Sequence, residues 1–209
     1  MKQIFVFLAP GFEEIEALTA VDYLRRANLN VLTVAVPESG KTEASSVVTG
    51  SHGIPVTADA LLQNCLPELK IGNLPCAIYF PGGLRGATNL AACSDVIDII
   101  KQCYDAKKLV CAMCASPAMV LAKTGILAGK KWTCYPEMNK NLAEYCGSKE
   151  KAESLTAGCE HIENVPFVFD SNVLTGRGPG TAEQFAMKFV ELLTDSATAK
   201  QVHDASCQR

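Results

Sequence analysis

The stretch LVCAMCASPAMVLA, which begins at Leu109, constrains the fold of this chain more than any other. It opens with an apolar run, Leu109–Met113, of the kind that forms a buried parallel strand. A serine and a proline follow, and both residue types favour the start of a helix. Ala118–Ala122 then supplies good helix formers, and a glycine at 125 is typical of the helix end. The stretch therefore predicts a strand, a sharp turn at Cys114 and a helix.

The turn places Cys114 at the start of the predicted helix, close to backbone N–H groups that have no helical partner. These groups and the helix dipole both favour thiolate over thiol, so we expect the pKa of Cys114 to be lowered. The layout is that of a nucleophile elbow with sulfur in place of a serine hydroxyl. The alternative is that Cys114, one of ten cysteines, packs in the core as free cysteines usually do.

Strands and helices alternate along the rest of the chain. Gln3–Leu8, residues 13–27 and Val31–Val36 form a predicted βαβ unit. Longer elements follow at Cys76–Phe80, Asp95–Tyr104, Val165–Phe169, Asn172–Thr175 and Ala182–Leu193, and shorter ones are predicted at Ile54–Thr57, Asp59–Gln63, Trp132–Tyr135 and Leu142–Cys146. The alternation predicts an α/β fold with a doubly wound, mostly parallel sheet sandwiched by helices.

The length of 209 residues suits a single core, so we expect one domain over residues 1–194 and a polar, partly helical tail over residues 195–209. The net charge of -3 gives no reason to expect nucleic acid or an anionic membrane as a partner. The apolar run at Ile4–Leu8 is too short for a signal peptide, and no run approaches the roughly 20 residues that span a bilayer. The expected location is therefore the cytoplasm.

The ten cysteines are scattered, which favours reduced thiols over a disulfide framework. Cys111 and Cys114 have C-x-x-C spacing, but no second pair and no nearby histidine completes a metal site. With Cys111 inside a strand, the two Cα atoms would lie roughly 10 Å apart, too far for a disulfide. The Gly-rich dinucleotide and phosphate-loop motifs are also absent from the sequence. We therefore expect neither a metal nor a cofactor.

Four breaks fall at predicted strand ends: Pro10-Gly11, Gly82-Gly83, Cys114 and Tyr135-Pro136. In doubly wound sheets such ends border one crevice, where ligands bind. The Gly82-Gly83 pair is either an ordinary turn or a source of N–H groups for an oxyanion, together with the N–H that follows Cys114.

Three acids, Glu13, Glu14 and Glu16, open the first helix, where they complement its dipole. Helical spacing does not say which of them points into the crevice. One that did would keep its proton beside a thiolate, because both groups cannot comfortably be charged at hydrogen-bonding distance.

The histidines offer a further alternative. His161 and Glu163 form an H-x-E pattern that could complete a Cys-His-Glu triad with Cys114, although such a pattern in a polar stretch is usually on the surface. His52, beside two glycines, is typical of a loop, and His203 lies in the polar tail.

Four stretches, LAPGFEEIEAL, YFPGGLRGATNL, CAMCASPAMVLA and LTGRGPGTAEQFA, together resemble the ThiJ/PfpI family, from about Lys2 to Leu193. The resemblance implies a flavodoxin-like homodimer in which Cys114 is the reactive cysteine and Glu16 its hydrogen-bonding acid. It also implies a set of backbone and pocket positions: Gly82, Gly83 and Ala115 around the oxyanion, and Tyr135, Arg177, Gly178 and Pro179 in the pocket.

The implied activity is that of a glyoxalase without glutathione, or of a protein deglycase, acting on a small aldehyde or a glycated protein, with a stress-protective role. Oxidative-stress sensing, chaperone activity and a thiazole-biosynthesis label also occur among members. The protease-like branch has histidine where Ala115 follows the cysteine, so this position weighs against peptidase activity. Tyr135 stands where some deglycase relatives have histidine, and tyrosine is a poor base at neutral pH.

Overall fold

The computed structural model describes residues 3–208, so Met1, Lys2 and Arg209, at the ends of the predicted domain and tail, lie outside the described residues. Its centre is a seven-stranded sheet. In spatial order the strands are β10 (Phe167–Asp170), β11 (Val173–Gly176), β7 (Leu109–Met113), β6 (Ala77–Phe80), β1 (Gln3–Leu8), β2 (Asn30–Ala35) and β5 (Ala60–Leu61). All neighbours pair in parallel except β10 with β11, which confirms the predicted sheet.

Eight α-helices lie in the described chain: α1 (Glu14–Arg26), α2 (Leu62–Lys70), α3 (Leu84–Ala92), α4 (Ser94–Asp105), α5 (Leu142–Cys146), α6 (Lys149–Leu155), α7 (Ala182–Leu193) and α8 (Ser196–Ala205). Two small sheets complete the structure, an antiparallel hairpin of β3 (Val47–Thr49) with β4 (Pro55–Thr57), and β8 (Lys131–Trp132) with β9 (Glu160–His161).

The order of the strands places the switch point beside β1. The chain passes from β1 to β2 and β5 on one side, then returns to β6, β7 and β11 on the other. A crevice therefore opens at the carboxyl ends of β1 and β6, where Gly11 and Gly82-Gly83 follow the strands.

Alternation along the strands divides the core into two layers. Phe7 and Phe80 stack on one face with ring centroids 4.9 Å apart, under α3, α4 and the helical turns after Cys114. Tyr79 contacts Phe185 of α7 on the other face at 5.3 Å, where α1 also packs. Burial of both faces accounts for the continuous apolar runs in the central strands.

Some predicted elements differ from the structure. The helical piece predicted at Asp59–Gln63 begins only at Leu62, because Ala60 and Leu61 pair with β2. Helix α3 was not predicted, since Gly86 and Thr88 are poor helix formers. After Cys114 the chain does not form a regular helix: Pro117–Leu121 is a π-helical turn, in which the Ala122 N–H donates to the Pro117 carbonyl, and a 3₁₀ turn follows it.

Helix α8 occupies most of the segment predicted as a polar tail. Its N-terminal Asp195 accepts a hydrogen bond from the Thr198 N–H at 2.7 Å, and Val202 is buried at 5% exposure. The helix packs against α7, which its polar composition does not predict. Across residues 3–208, every helix falls short of the length and apolar character needed to cross a membrane.

Candidate active site

Cys114 lies at the sharp turn that follows β7. Its φ of 60° is in the left-handed region, which is uncommon for a residue other than glycine. Two backbone hydrogen bonds hold this conformation: the Cys114 N–H donates to Gly176 at 2.9 Å, and the Cys114 carbonyl accepts from the Tyr135 N–H at 2.8 Å. The strained turn directs the half-buried sulfur away from the sheet toward the crevice, as in a nucleophile elbow.

The loop after β6 is fixed against this elbow. The buried hydroxyl of Ser116 donates to the Pro81 carbonyl at 2.7 Å. Gly83 has φ of 84°, and a Cβ there would lie 2.3 Å from the Gly11 carbonyl oxygen. Only glycine permits this close approach of the two loops, so the loops after β1 and β6 meet in one crevice.

Glu16 is the acid of α1 that points into the site. It is 1% exposed, and its Oε2 accepts a hydrogen bond from the Gly82 N–H at 2.6 Å. Its Oε1 is buried without a hydrogen-bond partner among the described residues, and the nearby Cys114 thiol helps to lower the pKa of the carboxyl. A Cβ on Gly82 would lie 2.8 Å from Glu16 Oε2 and 3.0 Å from the sulfur, so glycine is required where these groups meet.

Burial raises the pKa of Glu16 to about 7, and the hydrogen bonds from Gly82 and Cys114 only partly oppose it. The pKa of Cys114 is also raised, first by burial and then by the negative charge of Glu16. The lowered pKa predicted from the helix dipole is therefore wrong for a thiol that faces ionised Glu16. Burial and the neighbouring carboxylate outweigh the backbone N–H groups.

The two groups titrate as a pair, so their pKa values belong to the pair rather than to either residue. The first proton leaves near pH 7, and the second is held far more strongly. Above that point the pair carries one negative charge and one proton. That proton lies either on the Cys114 sulfur or on the Glu16 carboxyl.

The backbone N–H groups predicted around an oxyanion have two different functions. Those of Gly83 and Ala115 hydrogen-bond the Cys114 sulfur and stabilise its negative form. That of Gly82 is already donated to Glu16. Gly82 therefore positions the acid and is not a free oxyanion donor, which corrects its predicted role.

The residues predicted for the pocket wall lie together. Tyr135, Arg177, Gly178 and Pro179 line one cavity of about 240 Å³. A Cβ on Gly178 would lie 3.4 Å from the Tyr135 ring, so the ring rests on the backbone of the turn. Because the Tyr135 N–H bonds the Cys114 carbonyl, this cavity is next to the elbow.

His161 is paired with a different cysteine from the one predicted. Its Nε2 lies 3.5 Å from the sulfur of Cys134, whereas the hydrogen-bond partners of the Cys114 sulfur are Glu16, Gly83 and Ala115. The predicted Cys114-His161-Glu163 triad is therefore not formed.

Glu14 holds the neighbouring loop in place. From the sequence it is expected only to complement the dipole of α1. It accepts hydrogen bonds from the His52 N–H at 2.7 Å and from the Ser51 hydroxyl at 3.0 Å, and His52 Nδ1 lies 3.0 Å from its Oε2. Burial opposes ionisation of Glu14, but these hydrogen bonds outweigh it and lower the pKa to about 2. The atoms of Glu13, Glu14 and His52 that could ligate a metal ion lie within 4.8 Å of one another. Because they already bond to each other and to Ser51, the cluster serves to hold the loop.

Sequence reasoning missed the contacts of Glu14 and of Cys134. Their partners lie 38 and 27 residues away along the chain, and no local spacing marks them. The sequence marks this loop only by Gly50, two residues before His52, and the structure gives the reason: a Cβ there would lie 2.3 Å from Glu14.

A half-buried cysteine at an elbow, a buried acid beside it and a flavodoxin-like sheet define a class of cysteine-centred α/β proteins. Comparison with known families assigns the class more narrowly: residues 2–192 match the DJ-1/PfpI family. The chain belongs to this family.

Curated relatives cover nearly the whole chain. Protein DJ-1 homolog A of Arabidopsis thaliana is 35% identical over 98% of the chain, and protein dj-1beta of Drosophila melanogaster is 33% identical over 96% of it. The chain spans 45% of the Arabidopsis protein and 94% of the Drosophila protein. A Caenorhabditis elegans protein named glutathione-independent glyoxalase DJR-1.2 is 29% identical over 92% of the chain and 89% of its own length.

Solved structures show the same fold. A cysteine-to-alanine mutant of a DJ-1 superfamily protein from Salmonella typhimurium superposes with a TM-score of 0.83 at 31% identity, covering 100% of both chains. Drosophila melanogaster DJ-1beta gives 0.83 at 29% identity, covering 100% of this chain and 98% of the other.

Proposed function

We propose that this protein is a cysteine-dependent, glutathione-independent glyoxalase or deglycase that acts on methylglyoxal or on its early adducts with proteins. The observation that carries the proposal is the Glu16 carboxyl, buried beside the Cys114 sulfur across Gly82, where burial raises the pKa of Glu16 to about 7. An acid with such a pKa can give and take a proton at neutral pH. The C. elegans relative named as a glyoxalase supports the same assignment.

The first step uses the single negative charge of the pair. With the proton on Glu16, the Cys114 thiolate adds to the aldehyde carbon, so a carbon–sulfur bond forms and the charge moves to the aldehyde oxygen. The N–H groups of Gly83 and Ala115, which stabilise sulfur in the free protein, become available to this oxygen.

The second step is proton transfer by Glu16. The carboxyl protonates the oxygen, and as carboxylate it then removes the proton from the former aldehyde carbon and returns it to the neighbouring carbon. The new hydroxyl proton passes to the oxygen of that neighbouring carbon, which leaves a lactoyl thioester on Cys114. Hydrolysis of the resulting thioester releases lactate, so methylglyoxal and one water are consumed. An early adduct on a protein side chain would release lactate and the free side chain together.

Lactate release tests the proposal. Wild-type protein in metal-free buffer should convert methylglyoxal to lactate, whereas Cys114→Ser should not, because a serine hydroxyl beside a carboxylate is a much weaker nucleophile. Thr88→Ala, which alters an exposed residue of α3, is the control. Equal rates with wild type and Cys114→Ser would contradict the proposal.

A sensor and chaperone function is the second candidate, favoured by the two N–H donors on the Cys114 sulfur. These donors and protonated Glu16 would stabilise a sulfinate formed by peroxide. Mass spectrometry would then find two added oxygen atoms at Cys114 before any other cysteine. If the protein releases no lactate and client binding follows this oxidation, the sensor function replaces the enzyme.

We further propose that the protein is a homodimer whose interface includes the start of α1. Ile15 is 55% exposed on the first turn of α1, so its apolar side chain is available to contact a second copy. Light scattering should give twice the chain mass for wild type. Ile15→Glu should lower the apparent mass, and a monomeric wild type would contradict this proposal.

A further inference from the structure

A second thiol and imidazole meet beside the site described above, around a cavity that shares Arg177 with it. The Cys134 sulfur lies 3.5 Å from His161 Nε2 and 3.3 Å from the Tyr135 carbonyl. Cys134 is 2% exposed, but together with His161 it lines a cavity of about 110 Å³. Other lining residues, including Pro136, Glu163 and Asn164, are exposed, so small molecules can reach the cavity from solvent.

The surroundings resemble those of an activated cysteine. The Asn139 N–H bonds the Cys134 sulfur, and the negative charge of Glu163 favours a positive charge on His161. A nucleophile, a base in contact with it and a carboxylate near the base are the parts of a cysteine triad. In the free protein both members of the pair are neutral, because burial raises the pKa of Cys134 to about 12 and lowers that of His161.

Unsatisfied polar atoms also concentrate here. The described residues hold three buried side-chain atoms without a partner. Two of them belong to neighbours of the pair: Trp132 Nε1, whose ring meets the His161 ring at 5.0 Å, and Asn139 Oδ1. Such atoms are rare in folded proteins. Neither residue lines the cavity, so these atoms are not contacts for a ligand in it.

We propose that Cys134 and His161 form a second reactive site, which takes small uncharged carbonyl electrophiles. The size limit follows from the cavity, which has room for several water molecules and hence for a ligand of a few heavy atoms. The lining disfavours an anionic ligand, because it holds two carboxylates, Glu137 and Glu163, against the single guanidinium of Arg177.

The reaction is a reversible addition. A bond forms between the Cys134 sulfur and the carbonyl carbon, and the carbon–oxygen π bond breaks. The thiol proton passes to His161 Nε2 and from there to the new alkoxide, so the product is a hemithioacetal and no other reactant is consumed. Arg177 supplies a positive charge beside the developing alkoxide.

Alkylation of the full-length Cys114→Ser protein by iodoacetamide, followed by peptide mass spectrometry, tests the site apart from the proposed glyoxalase. Cys103 is the matched control, since it is also buried with a pKa raised to about 12, and its charged neighbour is Lys108 rather than a histidine. We expect Cys134 to be labelled about tenfold faster than Cys103. Methylglyoxal should slow the labelling of Cys134, and dilution should restore it.

His161→Gln separates base catalysis from mere access to the cavity. It should reduce the labelling of Cys134 to the rate of Cys103. An unchanged rate in a variant with the wild-type melting temperature would overturn the proposal, as would equal labelling of Cys134 and Cys103 in the parent protein. If His161→Gln fails to fold, the comparison of the two cysteines in the parent protein decides.

Discussion

Glu16 differs chemically from its two acidic neighbours because of what its carboxyl touches. Glu14 is bonded by the polar loop at Ser51 and His52, and its pKa falls to about 2. Glu16 faces sulfur and one N–H group, and its pKa rises to about 7. The two glutamates lie two positions apart in the chain, yet Glu14 stays ionised near neutral pH and Glu16 titrates there.

Glu16→Gln should reduce lactate formation about 100-fold or more, because an amide cannot transfer the proton. Steady-state kinetics measures the loss as kcat. Glu13→Gln is the matched control, since the Glu13 carboxylate bonds the Ser51 hydroxyl at 2.9 Å and should contribute little to turnover. Near-normal kcat in Glu16→Gln would remove the acid from the mechanism.

Gly82→Ala should reduce kcat/KM about 100-fold, because the added methyl group would separate the carboxyl from the sulfur. Circular dichroism should show that the fold is kept. Gly180→Ala controls for adding a methyl group to a glycine, since its Cβ meets no atom within 4 Å, and it should keep the wild-type unfolding free energy. Full activity of Gly82→Ala would show that the contact between acid and thiol is unimportant.

Among the elements, the elbow depends on a single buried hydroxyl. Ser116→Ala leaves the Pro81 carbonyl without its donor, and we expect a loss of roughly 1–3 kcal/mol in unfolding free energy. Chemical denaturation measures it. Thr88→Ala on α3 removes an exposed hydroxyl bonded to its own helix, and should cost less than about 0.5 kcal/mol. Equal losses in the two variants would contradict the proposed role of Ser116.

The elements that sequence predicts well are those whose signal is local. The bounds of α5, α7, β1 and β7 match the predictions because apolar periodicity and turn residues mark them. Helix α3 has no such mark, and its Gly86 is required by close contact with the Phe12 backbone. The pairing of Cys134 with His161 and the raised pKa of Cys114 depend on burial and on distant partners, which no single-sequence pattern reports.

For the whole molecule, the buried acid makes stability depend on pH. Folding raises the pKa of Glu16 from 4.5 to about 7, so between these values the folded state keeps a proton that the unfolded state releases. The unfolding free energy should therefore fall by roughly 3 kcal/mol as pH rises through this window. Glu14 contributes in a separate range, because its lowered pKa stabilises the fold above 4.5, and this stability is lost toward pH 2.

Denaturation curves at a series of pH values test this dependence. Glu16→Gln should flatten the curve between 4.5 and 7 and should leave the acid limb due to Glu14 in place. A slope unchanged by Glu16→Gln would mean that another group is responsible.

Titration of the Cys114 thiol tests the shared proton most directly. The rate of alkylation at Cys114, followed by peptide mass spectrometry across pH, should rise with an apparent pKa of about 7 in wild type. In Glu16→Gln this step should disappear, because the amide has no proton to lose in that range. If both proteins instead titrate with one step near the ordinary cysteine value of about 8.5, Glu16 and Cys114 do not share a proton.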